Sequence, residues 1–143
     1  MITEESKPSD NISELRQGEE NEPIARFLGM RLVGLTPGYA KVVMKLLPEY
    51  QNFNGYIFGG IIMAIVDQAF AYASNSLIQP SLATQFNIHF INGASVSDEL
   101  TAECWVVKSG RRVGISEMKV VNQEGKLIAK ATGTTIPVIN AKS

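Results

Sequence analysis

NFNGYIFGGIIMAIVDQAFAYASNSL, residues Asn52 to Leu77, is the stretch whose reading decides the fold. After Gly59-Gly60 it carries neither glycine nor proline until Pro80, and Ile, Met, Ala, Val, Phe and Tyr occupy every side of the helix that this spacing predicts. A helix apolar all round is a buried one. Asp67 breaks the pattern. The positions three and four residues away on its face, Met63, Ala64, Phe70 and Ala71, are all apolar. A carboxylate buried there without a partner costs several kcal/mol, so it must be neutral, paired or used for chemistry.

Working outward, Glu22 to Met30 holds Pro23 at a helix start, apolar Ile24, Phe27 and Leu28, and Gly29 as a stop, which predicts a short helix. Arg31 to Leu35 and Tyr39 to Leu47 follow as strands joined by the turn Thr36-Pro37-Gly38. Beyond the long helix, Gln79-Pro80-Ser81 interrupts the chain. Leu82 to Ile91 then alternates, with Thr84, Phe86, Ile88 and Phe90 on one face, and Asn92-Gly93 turns it. Leu100 to Lys108, Arg112 to Asn122 and Lys126 to Val138 are three further strands. Ser109-Gly110 and Gln123-Glu124-Gly125 read as hairpin turns with a left-handed glycine. One long helix cannot cover both faces of a sheet, and short turns demand antiparallel neighbours. The expectation is an α+β fold in which an antiparallel sheet wraps a single central helix. Residues 1–22, polar and acidic, read as a mobile or loosely helical arm, and residues 23–143 as one domain.

Composition removes several function classes. With 143 residues, 45% of them hydrophobic, the chain buries a real core. Its formal net charge of −1, without a long basic run, recommends neither nucleic acid nor an anionic membrane. Cys104 is the sole cysteine and His89 the sole histidine, which excludes an internal disulfide and leaves no zinc ligand set. The first 22 residues lack the apolar run of a secretory signal, and Asp67, Gln68, Ser74 and Asn75 interrupt the long helix before it reaches the roughly 20 apolar residues of a membrane span. A cytoplasmic location is expected, with no cofactor and no metal.

Asn52 through Gly60, followed at a fixed distance by Asp67, resembles the motif of the hotdog-fold acyl-CoA thioesterases, over about Ile24 to Val138. The helix Asp67-Gln68-Ala69-Phe70-Ala71-Tyr72-Ala73-Ser74-Asn75-Ser76 is most similar to the PaaI-type branch of phenylacetate degradation. That branch usually has histidine before the two glycines; here Phe58 stands there. Phenylalanine at this place, with Asn54-Gly55 and Met63, is similar to the branch of broad medium- and long-chain acyl-CoA hydrolases. The resemblance implies hydrolysis of an acyl-CoA thioester, on an aryl-acetyl or a medium-chain acyl group.

Thioester hydrolysis needs a group to attack the carbonyl or to activate water, and donors for the oxyanion. Asp67 is the candidate for the first role, as general base or as nucleophile; the bland reading is an aspartate paired with an unseen donor. Gly59-Gly60 opens the helix where backbone N–H groups are unpaired and the dipole is positive, so one of them is the expected oxyanion donor. The glycines would equally serve tight packing. Asp67 lies eight residues past Gly59, roughly 12 Å along a helix, too far for one carbonyl to touch both within one chain. If both act, two subunits must share each site, which fits the sheet-extending dimers of the family. An obligate homodimer, doubled to a homotetramer, is expected.

The resemblance assigns further positions. Asn52 matches an asparagine that helps position water or the thioester; Asn54 is the alternative, and either suits an Asx turn. Ala83, with Thr84 beside it, falls where the family often has a small hydroxyl residue near the aspartate. Lys108, Arg111 and Arg112 match the region holding the nucleotide end of coenzyme A, and Asn92, Gly93 and Ala94 its second contact; a solvated hairpin tip is the competing reading. Ile62, Met63 and Phe70 are candidates for lining the acyl pocket. His89, on the polar strand face, and Cys104 read as bland packing or surface residues. Two other functions compete: a hotdog hydratase, which needs a helix histidine that is missing here, and a non-catalytic acyl-CoA-binding protein.

Overall fold

The computed structural model describes residues 8–138. Helix α1 (Pro8–Glu19) and helix α2 (Pro23–Leu28) lead into the hairpin β1 (Met30–Thr36) and β2 (Tyr39–Lys45). A single 3-10 turn, Pro48–Tyr50, precedes the long helix α3 (Gly59–Asn75), and β3 (Ser81–Phe90), β4 (Glu99–Ser109), β5 (Gly114–Val121) and β6 (Leu127–Pro137) complete the chain. The strands form one sheet in the order β1-β2-β4-β5-β6-β3, every neighbouring pair antiparallel. This is the expected hotdog architecture. The sheet curls round α3, and β1 and β3 are its edges.

Each boundary has a local cause. Gly29 takes φ +70 and its N–H returns to the carbonyls of Ala25 and Arg26, which stops α2. Gly38, at φ +78, turns the first hairpin, and its N–H donates to Ser76 Oγ at 2.8 Å, tying the turn to the end of α3. Gly125 is left-handed as expected, whereas Gly110 is not: a register shift between Val106 and Lys108 lets the β4–β5 connection turn without it.

Alternation along the strands puts Val42, Met44, Leu100, Ala102, Cys104, Met118, Val120 and Ala129 on the inner face, against Ile62, Ile65, Val66, Ala69, Phe70 and Ala73 of α3. Phe70 is the densest point. Its ring leans toward Phe86, with centroids 6.2 Å apart, and lies so close to β6 that a Cβ on Gly133 would meet it at 2.6 Å. Gly133→Ala is expected to destabilise the protein by about 1–3 kcal/mol, read by urea denaturation, because the ring has no free space to enter. Substitution at exposed Gly93, whose added Cβ meets nothing, is the control.

Two expectations change. Where a mobile or loosely helical arm is expected, Pro8–Glu19 forms α1, which rests on β1; Ile12 and Leu15 pack against the core and a Glu19 carboxylate oxygen accepts the Leu32 N–H. Residues 1–7 lie outside the described part. The long helix, expected to be buried all round, buries only one side. Met63, Asp67 and Ala71 are exposed on the other.

Candidate active site

The open side of α3 is a shallow groove of about 350 Å³ lined by Gly60, Met63, Ala64, Asp67 and Phe86. The four helix positions follow the i, i+3, i+4, i+7 spacing of one face. Asp67 therefore faces solvent in the single chain instead of being enclosed by it. Among the described residues it has no hydrogen-bond or ion-pair partner, so the basic side chain that would have made it a structural acid is missing. Partial burial in the groove still pushes its carboxyl pKa above the ordinary 3.8. An unpaired carboxylate of raised pKa beside apolar walls has the character of a base.

The start of α3 carries no side-chain cap. Phe58 accepts the Ile61 N–H through its carbonyl and sends its own N–H to Tyr50 O, fixing the entry of the chain. Its ring folds back on Gly60, where a Cβ would lie 2.5 Å from the ring edge. Gly60 must be glycine while Phe58 holds that pose. The two glycines serve different depressions: Gly60 shares the groove of Asp67, and Gly59 a second one with Phe90, Asn92, Gly93 and Ala94. Phe90 packs on Gly59 at 3.2 Å from where its Cβ would be.

Asn52 realises the Asx-turn alternative. Its Oδ1 accepts from the N–H of Asn54 at 2.9 Å and of Tyr56 at 3.1 Å, closing the loop that presents Phe58. Asn54 is exposed on that loop. Ala83 and Thr84 fall at a bulge in β3, where the register with β6 shifts, and neither lines the groove of Asp67; Thr84 Oγ1 donates to Thr134 O at 3.3 Å. The strand residue that does reach the groove is Phe86. Its signal was present in the alternation of β3, which sets it on one face with Thr84, Ile88 and Phe90.

Of the three expected acyl-pocket residues, Met63 lines the groove of Asp67, Ile62 is largely buried yet reaches the depression beside Gly59, and Phe70 is buried in the core. Asn92 donates from Nδ2 to Leu127 O at 2.8 Å, which anchors the loop beside the start of α3. Lys108, Arg111 and Arg112 are exposed at the β4–β5 turn. A small crevice at the root of that turn is lined by Ser74 and Ile78, at the other end of α3. One chain thus holds its basic turn and its Asn92-Gly93-Ala94 loop at opposite ends of the helix. His89 lies on the outer sheet face near Glu117 and Lys130. Cys104 is fully buried, and burial pushes its thiol up to about 12, which removes it as a nucleophile. Among the described residues no cluster of His, Cys, Asp and Glu is arranged to hold a metal, and no helix is long and apolar enough to cross a membrane.

Residues 54–129 match the model of the thioesterase superfamily. The chain is 32% identical to the acyl-coenzyme A thioesterase PaaI of Escherichia coli, over 80% of this chain and 81% of that protein. The solved structure of that protein superimposes with a TM-score of 0.87, covering 93% of this chain and 97% of the other at 28% identity. Human acyl-coenzyme A thioesterase 13 is 27% identical over 76% of this chain and 81% of its own length. A Streptococcus mutans protein solved with acetyl CoA superimposes at a TM-score of 0.73 and 25% identity, covering 76% of this chain and 88% of that one. With the sheet wrapped on its one long helix and the glycine-led groove in place, this chain belongs to the thioesterase superfamily, as a PaaI-type hotdog thioester hydrolase.

Proposed function

We propose that the chain hydrolyses the thioester of an acyl-CoA bearing an aryl-acetyl or medium-chain acyl group, with each site built from two subunits. Asp67 of one subunit acts as general base on water or as nucleophile at the carbonyl. A backbone N–H at Gly59 or Gly60 of the other receives the oxyanion. The carbon–sulfur bond breaks, coenzyme A leaves as its thiolate, and the acid is released. The observation that carries this reading is a carboxylate, unpartnered among the described residues, in an apolar groove on the same helix face as the uncapped glycine start.

Four features support the shared site. Seven residues separate Gly60 from Asp67, about 10.5 Å of helix. The groove residues are symmetric about the midpoint between Met63 and Ala64, so an antiparallel two-fold there sets Gly60 opposite the partner's Asp67. The same rotation brings the basic turn Lys108, Arg111 and Arg112 of one subunit toward the Asn92-Gly93-Ala94 loop of the other, where a coenzyme A phosphate tail needs cations. Finally β3 is a sheet edge with an unpaired ladder, flanked by apolar side chains open to solvent: Phe53 at 96%, Phe58 at 57% and Phe90 at 51% exposure.

Wild-type protein presented with a panel of acyl-CoAs and a thiol-reactive dye is expected to release coenzyme A, fastest from aryl-acetyl or medium-chain substrates. Binding of acyl-CoA without thiol release from any member of the panel would make the protein a carrier and end the catalytic reading.

A further inference from the structure

The groove of about 350 Å³ beside Asp67 is not the only space within reach of that carboxylate. A second lies farther along the helix. A cavity of about 260 Å³ opens between α1 and α3, lined among others by Glu14, Leu15, Glu22, Gln68, Ala71 and Tyr72. Gln68 is the residue after Asp67, and Ala71 lies one turn on from Asp67 on the same exposed face. Ala71 has nothing beyond Cβ, so its own side chain is only a small barrier between the groove and the cavity. A thioester carbonyl at Asp67 therefore has a short path for its acyl part over Ala71 and beneath α1.

The lining of this cavity is selective. Glu22 heads α2 yet its side chain does not cap that helix. Its Oε2 instead accepts two bonds from α3, from Gln68 Nε2 at 2.8 Å and from Tyr72 OH at 2.6 Å. Burial and the bond to Glu22 hold the Tyr72 phenol far above its ordinary pKa, so it stays a donor. A carboxylate has about four lone-pair sites, and these two bonds use half of them. Glu14 adds a second carboxyl, and among the described residues no lysine or arginine lines the cavity. The nearby arginines are engaged elsewhere, Arg16 with Leu35 O and Arg26 with Glu20 O. The cavity has acceptors to spare and nothing to balance an incoming negative charge.

We propose that the cavity between α1 and α3 is the acyl subsite, and that Glu22, held by Gln68 and Tyr72, favours uncharged acyl groups carrying a hydrogen-bond donor and rejects acyl groups ending in a carboxylate. The proposal rests on the thioesterase reading above. It also gives α1 a function, as the outer wall of the specificity pocket.

The test uses S-alkyl thioethers of coenzyme A, which cannot be hydrolysed, so binding is read apart from catalysis. S-hexyl-CoA, its ω-hydroxyl counterpart and its ω-carboxyl counterpart are titrated calorimetrically into the full chain, with coenzyme A alone as reference. The ω-hydroxyl ligand is expected to bind tightest and the ω-carboxyl ligand about tenfold more weakly than S-hexyl-CoA. Glu22→Gln should shrink that carboxyl penalty to within about threefold. Ala71→Phe, at an exposed position, should block the passage and reduce all three thioethers to the affinity of coenzyme A itself. Equal binding of the three thioethers by wild type, a carboxyl penalty that survives Glu22→Gln, or an alkyl preference that survives Ala71→Phe each overturns the subsite. None of those results touches hydrolysis, which fails separately if no acyl-CoA releases thiol.

Discussion

Asp67→Asn is expected to lower thioester turnover by about three orders of magnitude while leaving stability at neutral pH unchanged or slightly higher. The first half follows from the role: an amide neither takes a proton from water nor attacks a carbonyl. The second follows from the electrostatics of the groove. Partial burial raises the folded-state pKa of Asp67 above 3.8 and no cation offsets it. A group whose pKa is raised on folding binds its proton more tightly in the folded state, so it favours folding at acid pH, below the unfolded value. That contribution is lost as pH climbs through the folded value, and at neutral pH the carboxylate is a net cost that asparagine removes. Melting temperatures of wild type and variant should therefore match near pH 3 and separate, if at all, in favour of the variant above about pH 5. The wild-type rate should fall on acidification with a midpoint raised above the ordinary 3.8 of an aspartate. A structural aspartate predicts the opposite: a variant that melts early and retains turnover in proportion to folded protein.

The architecture was legible because its signals are local and periodic. Turn residues marked the first hairpin and period-two alternation the four later strands, and Gly29 and Gly38 ended or turned their elements as their left-handed φ values require. The N-terminal helix was legible only as one of two alternatives, and its docking on the domain was not legible, for a physical reason. It is polar on average, and only Ile12 and Leu15 touch the core, so composition outvotes two contacts whose value depends on what they meet. The exposure of Asp67 was hidden by a related ambiguity. A helix apolar on every side is what a buried helix looks like, but it is equally what a helix looks like when one face waits for a second copy of the chain.

The site divides along the same line. Asp67 and Gly60 could be singled out because a carboxylate among apolar residues and a glycine pair at a helix start are anomalies in one dimension. Asn52 could not be decided, since its Oδ1 was equally suited to the backbone N–H groups of its own loop, which is where the structure puts it. Phe86 was visible on the apolar face of β3, yet only the packing of that strand beside α3 turns a core residue into a groove wall. Glu22 and Tyr72, 50 residues apart, meet through tertiary structure alone. Nothing in their local sequence marks them as a pair.

Mixing two dead variants is expected to restore activity. Asp67→Asn lacks the base. Gly60→Ala puts a Cβ where it meets the Phe58 ring at 2.5 Å, so the ring must move and the uncapped helix start is obstructed, which should cost about 10²–10³ in turnover. In a site drawn from two subunits, a hybrid dimer pairs the intact Gly60 of the first variant with the intact Asp67 of the second. Its other site carries both lesions. After co-refolding equal amounts, half of the dimers are hybrids with one working site of two, so about a quarter of wild-type activity should return from two preparations that are each nearly inactive. If Gly60 and Asp67 instead served one carbonyl within a single chain, every site of every hybrid would still carry one lesion, and the mixture would stay dead. With roughly 10.5 Å of helix between the two residues, the first outcome is the expected one.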